Sequence, residues 1–198
     1  STVAYSFDYD LRNQKFQTTD GFRTKFTQRL PVVSDSNTIT TGFIFDKYLS
    51  LGDFTTSAGL FLKNAVGLSD DVRISERLAL PRNRLRGFKP GRIGPVDQGE
   101  DHVGGNYAAA LSLTTNLPMI APTLQDFEFN YFLDFGNVWG ADYRSSNFDD
   151  SNFLRASTGA GIEWWSPVGP ISLTFSHAIE QKTTDEFEGF QFNIGTTF

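Results

Sequence analysis

The chain has 198 residues, enough for one domain or part of one, with 20 phenylalanines, 1 methionine and no cysteine. The lack of cysteine excludes a disulfide framework, a thiolate zinc site and a thiol nucleophile, and two histidines, His102 and His177, are too few and too far apart in sequence for a metal cluster. The net charge of −6 argues against nucleic acid, no apolar run reaches the roughly 18–20 residues of a membrane helix, and a mean hydropathy of −0.29 still permits a transmembrane barrel, which is apolar on one face only.

No signal peptide opens the chain; from Ser1 it runs straight into a strand pattern, as a mature protein or an excised fragment would. "STVAYSFDYDLR" sets Val3, Tyr5, Phe7, Tyr9 and Leu11 against Ala4, Ser6, Asp8, Asp10 and Arg12. Alternate residues of a strand point to opposite faces, so the segment has one apolar and one polar side. "DGFRTKFTQRLP" sets Phe22, Phe26 and Leu30 against Arg23, Lys25 and Arg29. "GGNYAAALSLTTNLP" sets Tyr107, Ala109, Leu111 and Leu113 against Asn106, Ala108, Ala110 and Ser112. In "QDFEFNYFLDFGNVW", Phe127, Phe129, Tyr131, Leu133 and Phe135 oppose Glu128, Asn130, Phe132, Asp134 and Gly136. "GPISLTFSHAIE" and "GFQFNIGTTF" repeat the arrangement, the latter with Phe190, Phe192, Ile194, Thr196 and Phe198 on one face.

The pattern predicts strands over residues 2–12, 21–31, 37–50, 54–66, 104–117, 125–138, 153–166, 169–180 and 188–198. Most run about 10–13 residues, where soluble strands run about 5–6 and a tilted membrane crossing needs about 9–11. Connections alternate as well. "LGD", "SPVGP" and the proline-bounded "PMIAPTL" are short; "PVVSDSN", "GADYRSSNFDDS", "QKTTDEFEG" and the segment at about 67–103 are longer and polar. Outer-membrane barrels pair short periplasmic turns with long outside loops. "NQKFQTTDG" breaks the scheme, since it should be short.

Opposite the aromatics lie ions of both signs: Asp8, Asp10, Arg12, Arg23, Lys25, Arg29, Asp46, Lys63, Glu128, Asp134, Arg155, Glu163 and Glu180. They would be very costly in a packed soluble core and cheap on a wet lumen wall. The aromatic face then meets lipid. The expected fold is all-β, an antiparallel transmembrane β-barrel.

"RLRGFKPGRIGP", Arg84 to Pro95, stands apart: no helical or strand period, four basic residues, and three glycines. Taken alone, Arg84, Arg86, Lys89 and Arg92 read as a solvated basic loop. Asp70–Asp71 and Asp149–Asp150 read as solvated loop charges, with cation binding the alternative.

Four segments in order carry a family resemblance: "RLRGF", "IGPVDQGEDHVGGN", "FLDFGNVW", and "SPVGPISLTF" followed by "GFQFNIGTTF". Together the chain resembles the C-terminal part of the barrel of the BamA family of outer-membrane protein insertases, to which the mitochondrial sorting and assembly machinery barrels are related. The resemblance implies that residues 1–198 are about nine strands of a 16-stranded barrel, in a bacterial outer membrane, with a mitochondrial one the alternative. It implies that the loop at about 67–103 folds into the lumen. The motif Arg86, Gly87 and Phe88 would then meet a wall of Phe132, Asp134 and Gly136, with Glu128 or Glu163 as further contacts for Arg86. The seam strand would comprise Gly189, Phe190, Phe192, Ile194, Gly195 and Phe198.

The implied function is insertion of β-barrel proteins by strand templating at that seam. The implied partners are outer-membrane lipids, nascent β-barrel clients and accessory assembly lipoproteins, with no nucleic acid. Neither a cofactor nor a metal is expected, and no nucleophile–base–orienter constellation suggests an enzyme. A secretion transporter of the same superfamily is one alternative and a passive porin another; a soluble β-sandwich is disfavoured by strand length.

Overall fold

The structure, a computed structural model, describes residues 2–15, 17–32, 37–120, 123–124, 126–142, 149–150, 152–167 and 169–195. Nine strands form one sheet in chain order, each antiparallel to the next: β1 (Thr2–Asp10), β2 (Gly21–Pro31), β3 (Thr38–Leu51), β4 (Phe54–Gly67), β5 (Tyr107–Asn116), β6 (Phe127–Trp139), β7 (Arg155–Ser166), β8 (Gly169–Glu180) and β9 (Phe190–Ile194). β1 and β9 are its two edges. β3 and β4 have 14 residues each and β6 has 13, lengths that span a bilayer at a tilt.

The apolar face is the exposed one. Phe7 is 68% exposed, and Tyr131, Phe175, Phe190 and Phe192 are exposed in the same way. Two aromatic pairs mark the limits of this band: Phe127 stacks on Trp164 at one end, and Tyr107 on Trp139 at the other, with centroids 5.6 and 5.7 Å apart. Phe127 to Trp139 covers about 40 Å of strand, or roughly 28–32 Å vertically at a tilt of about 40–45°. Aromatic belts at that spacing match the two interfaces of a bilayer.

Two turns at the Phe127–Trp164 end are tight, β3–β4 and β7–β8, while the β5–β6 connection there, 117–126, has ten residues. β3 and β4 pair up to Leu51 and Phe54 around Gly52 and Asp53. The long connections gather at the opposite end. The connection 11–20 departs from the short-turn rule because it turns inward. Its Thr18 is 9% exposed, and Lys15, Gln17 and Thr18 line a cavity with Asn116, Glu128 and Trp165. β1 accordingly stops at Asp10, where the Arg12 guanidinium folds back onto the Asp10 carboxylate at 2.7–3.2 Å.

The expected strand bounds shift most at β5 and β9. β5 starts at Tyr107 rather than 104, because Gly105 pairs instead with Leu78 in the long loop. β9 covers only Phe190–Ile194. Gly189 precedes it as a bend, although its carbonyl accepts from the Ser176 N–H at 2.8 Å. Phe198 lies outside the described residues.

The inner face is not uniformly wet, as the sequence had suggested. Val72, Leu78, Leu80, Leu85, Phe88 and Ile93 of the long loop pack against Phe61, Ala65, Ala108, Ala110 and Val138 in a buried apolar cluster. The small inward residues of β4 and β5 leave the volume that the loop's side chains fill. The core of this chain therefore lies inside the lumen, between wall and loop.

Candidate functional site: the loop tip and its wall

The loop tip is a tight turn. The Phe88 N–H donates to the Leu85 carbonyl at 3.4 Å, and Gly87, third of the four residues, has φ +90°. A type II turn requires positive φ there, which favours glycine. Space makes the same demand: a Cβ at 87 would lie 2.5 Å from the Phe187 ring and 2.7 Å from Ser176 Cβ.

That turn aims Arg86 at the wall. Its backbone N–H, Nε and Nη2 donate to Asp134 at 3.0, 2.7 and 2.6 Å, and Nη2 also donates to Thr114 Oγ1 at 2.9 Å. Its carbonyl accepts from Ser157 Oγ at 2.7 Å. Its Cζ sits 3.8 Å from the centroid of the Phe132 ring. One residue thus engages β5, β6 and β7. Asp134 is fully buried, and a buried carboxylate is tolerable only when paired and hydrogen-bonded in this way.

The motif F-x-D-x-G reads as a docking surface, one inward residue at a time. Phe132, 1% exposed, offers its ring face to the guanidinium. Its ring has room because Gly159, the register partner on β7, has no side chain; a Cβ there would be 2.8 Å from the ring. Asp134 accepts the fork of donors. Gly136 leaves a bare patch, since a Cβ would lie 2.8 Å from Leu80 Cδ1. Arg86 thus meets Phe132 and Asp134, whereas Gly136 lies against Leu80 and Leu85 of the loop rather than against the motif itself. Glu128 and Glu163 are not hydrogen-bonded to Arg86; they lie below it, lining the same cavity.

Three features escaped the sequence reading. The two arginines of "RLRGF" diverge: Arg84 reaches the other wall and donates to Asp46 on β3 at 2.8 and 3.4 Å. Asp46 had been placed on the inner face, but nothing assigned its partner. Second, the 181–189 segment clamps the tip from outside. The Glu188 N–H donates to the Gly87 carbonyl at 2.6 Å, the Lys89 N–H to the Glu186 carbonyl at 3.0 Å, and Phe88 meets Phe187 edge-on at 5.1 Å. A lone phenylalanine in the polar "QKTTDEFEG" was the available signal. Third, Arg155 of β7 pairs with Asp185 of that segment.

Electrostatics in the loops follow these contacts. The Lys89 ammonium, hydrogen-bonded at 2.9 Å, holds the exposed Glu186 carboxyl below its ordinary value. Burial pushes the His102 imidazole below its ordinary value. Asp150 accepts from the Gly140 and Ala141 N–H groups, and Asp149 pairs with Lys182 at 2.8 Å, so both act as loop fasteners.

At the seam edge, Phe190, Phe192 and Ile194 face outward and pair in register with Phe175, Leu173 and Ile171 of β8. Gly195 follows at φ +100°, its N–H still donating to the Pro170 carbonyl at 2.8 Å.

A strip of barrel wall whose lumen is plugged by an arginine-anchored loop defines a class of outer-membrane barrel proteins. The chain belongs to the Omp85 superfamily: the family model of the Omp85 superfamily domain matches residues 1–198. It is 27% identical over 203 residues to outer membrane protein assembly factor BamA of Neorickettsia risticii, covering 100% of this chain and 27% of that protein. It is 31% identical over 139 residues to the BamA of Neisseria meningitidis serogroup B, covering 58% of this chain and 17% of that protein. The crystal structure of Haemophilus ducreyi BamA lacking POTRA domains 1–3 superimposes with a TM-score of 0.84 at 26% identity, over 96% of this chain and 41% of that one. The chain thus spans about a quarter or less of the length of these curated relatives.

Proposed function

We propose that this chain is the C-terminal part of the barrel of a bacterial outer-membrane insertase, which folds β-barrel clients into the lipid bilayer. The observation that carries the reading is the Arg86–Asp134 lock, which ties the inward loop to β5, β6 and β7 at once. A passive pore has no need of a plug bonded to three strands. A machine that must hold its barrel shape while one seam opens does.

No bond is made or broken in this mechanism. An incoming strand must satisfy its backbone N–H and C=O groups before it meets hydrocarbon. A free sheet edge offers them partners by strand addition. In the proposed barrel the seam strand is β9, whose ladder with β8 runs from Phe190 to Ile194 among the described residues, with single bonds at Gly189 and Gly195 on either side. The loop lock keeps β5, β6 and β7 rigid behind it, so the opening concentrates at the edge. Membrane lipids and nascent clients are the partners of this reaction, and accessory lipoproteins deliver the clients.

The test uses the full-length protein in proteoliposomes with a urea-denatured barrel client. Client folding, read from heat-resistant electrophoretic migration, should be faster than in empty vesicles and slowed by Arg86→Ala. Equal rates with and without the protein, together with large ion conductance indifferent to Arg86→Ala, would make it a porin. Passage of a passenger across the vesicle wall without client folding would make it a secretion transporter of the same superfamily.

A further inference from the structure

Glu128 and Glu163 stand directly opposite each other on β6 and β7, and both line one cavity of about 250 Å³ at the short-turn end of the lumen. Like charges in that position repel and weaken the strand pair. Gln17 hydrogen-bonds Glu128 and Arg86 attracts Glu163, but the cations that line the cavity give the pair no free counter-charge in contact; Arg12 is taken by Asp10. Arg86 reaches the cavity, but its charge is matched by Asp134. Lys15 also lines it and, among the described residues, forms no ion pair with either glutamate.

A second observation lies on the same face. Asn130, two residues along β6 from Glu128, is 6% exposed and lines the same cavity. Its Oδ1 is buried with no hydrogen-bond partner. Gly161, the register partner of Asn130, makes room for that oxygen, since a Cβ there would come within 2.6 Å of it. Gly161 lines the adjoining cavity, and Asn130 and Glu163 line both, so the unsatisfied acceptor stands where the two spaces meet.

Two carboxylates and an amide oxygen are hard donors of one kind. Ca²⁺ takes about 6–8 oxygen ligands and Mg²⁺ about 6, each readily including waters, for which the cavity has room. We propose that Glu128, Glu163 and the Asn130 Oδ1 form a binding site for a hard divalent cation, Ca²⁺ or Mg²⁺. Bound there, the ion cross-links β6 and β7 below the Arg86 tip, on the same two strands that supply Asp134 and Ser157. It converts a repulsive pair into a brace for the docking wall. The inference does not depend on the insertase reading.

The experiment uses the full-length protein in detergent, stripped with EDTA, with Tb³⁺ as the first probe. Trp165 lines the same cavity and should sensitise terbium emission. Emission should saturate, fall on addition of Ca²⁺ or Mg²⁺, and be lost in Trp165→Phe. That variant should still bind Ca²⁺ by titration calorimetry. Glu128→Gln and Glu163→Gln should each weaken binding by about tenfold or more, because ligand charge sets the affinity of such sites; Asn130→Ala should weaken it as well. Heat-resistant migration checks that each variant is folded. Binding unchanged in both glutamine variants overturns the proposal. So does folded wild-type protein that takes up neither ion at concentrations up to about 10 mM, beyond the weakest ordinary calcium sites; the pair then shares a proton or draws in Lys15.

Discussion

Arg155 on β7 and Asp185 in the 181–189 segment form an ion pair with no solvent access to either side chain. Nε donates to both carboxylate oxygens at 3.2 and 3.0 Å and Nη2 to Oδ1 at 2.9 Å, while Nη1 is taken by Asn137 Oδ1 and the Phe153 carbonyl. The pair ties to the wall the segment whose Phe187 backs the loop tip. Removing one member leaves the other charge buried alone, a cost of about 3–5 kcal/mol. Arg155→Ala should therefore expose residues 181–189 to protease in the full-length protein, while Arg155→Met with Asp185→Leu should restore much of the loss. A single substitution costing under about 1 kcal/mol would mean that the pair is solvated.

The Arg86–Asp134 contact makes a sharper demand, because it is a fork and not a point charge. Arg86→Lys keeps the charge but loses the parallel hydrogen bonds and the stacking on Phe132. Arg86→Ala should cost about 3–5 kcal/mol by stranding Asp134, and Arg86→Lys a substantial part of that. Arg86→Ala combined with Asp134→Asn should cost less than the two changes summed, since residues in one contact couple. Thermal loss of heat-resistant migration measures all four. Protease resistance of the loop and wild-type growth in Arg86→Ala would show that the lock is dispensable.

The strands were legible in the sequence because a wall between lipid and an inner space enforces period two. Phe190/Gln191/Phe192 and Phe129/Asn130/Tyr131 each state the two faces outright. The Arg86–Asp134 contact was legible only through the resemblance; alternation placed Asp134 inward but could not name its partner. The lumen's dryness was not legible. Leu78, Leu80 and Leu85 sit in a segment without periodicity, and their burial depends on the vacancy left by Ala108 and Ala110, 23–32 residues away in sequence. The pairings Arg84–Asp46 and Arg155–Asp185 were hidden for the same reason: a pair between a loop and a distant strand leaves no local spacing.

Gly87 separates conformational from steric cost. Alanine at φ +90° pays about 1–2 kcal/mol for the backbone, and its methyl group adds an overpacking cost of about 1–3 kcal/mol against Phe187. Gly87→Ala should open the clamp between residues 87–92 and 186–188, seen as faster hydrogen exchange at Lys89 and Glu188. Adding Phe187→Ala should relieve the overpacking against the ring but neither the contact with Ser176 Cβ nor the backbone strain, so rescue should be partial. Full rescue would show that φ is unimportant, and no rescue that the ring contact is.

Acid should loosen the outer loops in two stages. His102 is held neutral by burial, with Asp185 and Glu186 favouring its protonated form and Arg92 and Arg155 opposing it. Its folded value lies below the ordinary 6.5, so the unfolded state binds the proton first and stability falls as pH drops below 6.5. Glu186 is also depressed, by Lys89; its contribution is present above 4.5 and lost as pH falls through the lower folded value. Limited proteolysis of residues 96–103 should be faster at pH 5.5 than at 7.5, and His102→Gln should abolish that difference. Persistence of the same pH dependence in His102→Gln would assign it to another group.

The edge strand supplies the last test. Gly195 turns the chain at φ +100° directly after β9 while keeping its bond to Pro170. A β-branched residue is disfavoured there by about 1–2 kcal/mol and prefers an extended backbone. Gly195→Val should therefore straighten the chain after Ile194 and favour continued strand pairing. A bias of that size changes the ratio of open to closed edge by about 5–30-fold. If client insertion passes through an opened edge at β9, the rate in proteoliposomes should fall by a similar factor while heat-resistant migration of the protein itself rises. Unchanged insertion in a variant with slower hydrogen exchange at residues 190–195 would separate edge opening from the reaction and place the client's entry elsewhere.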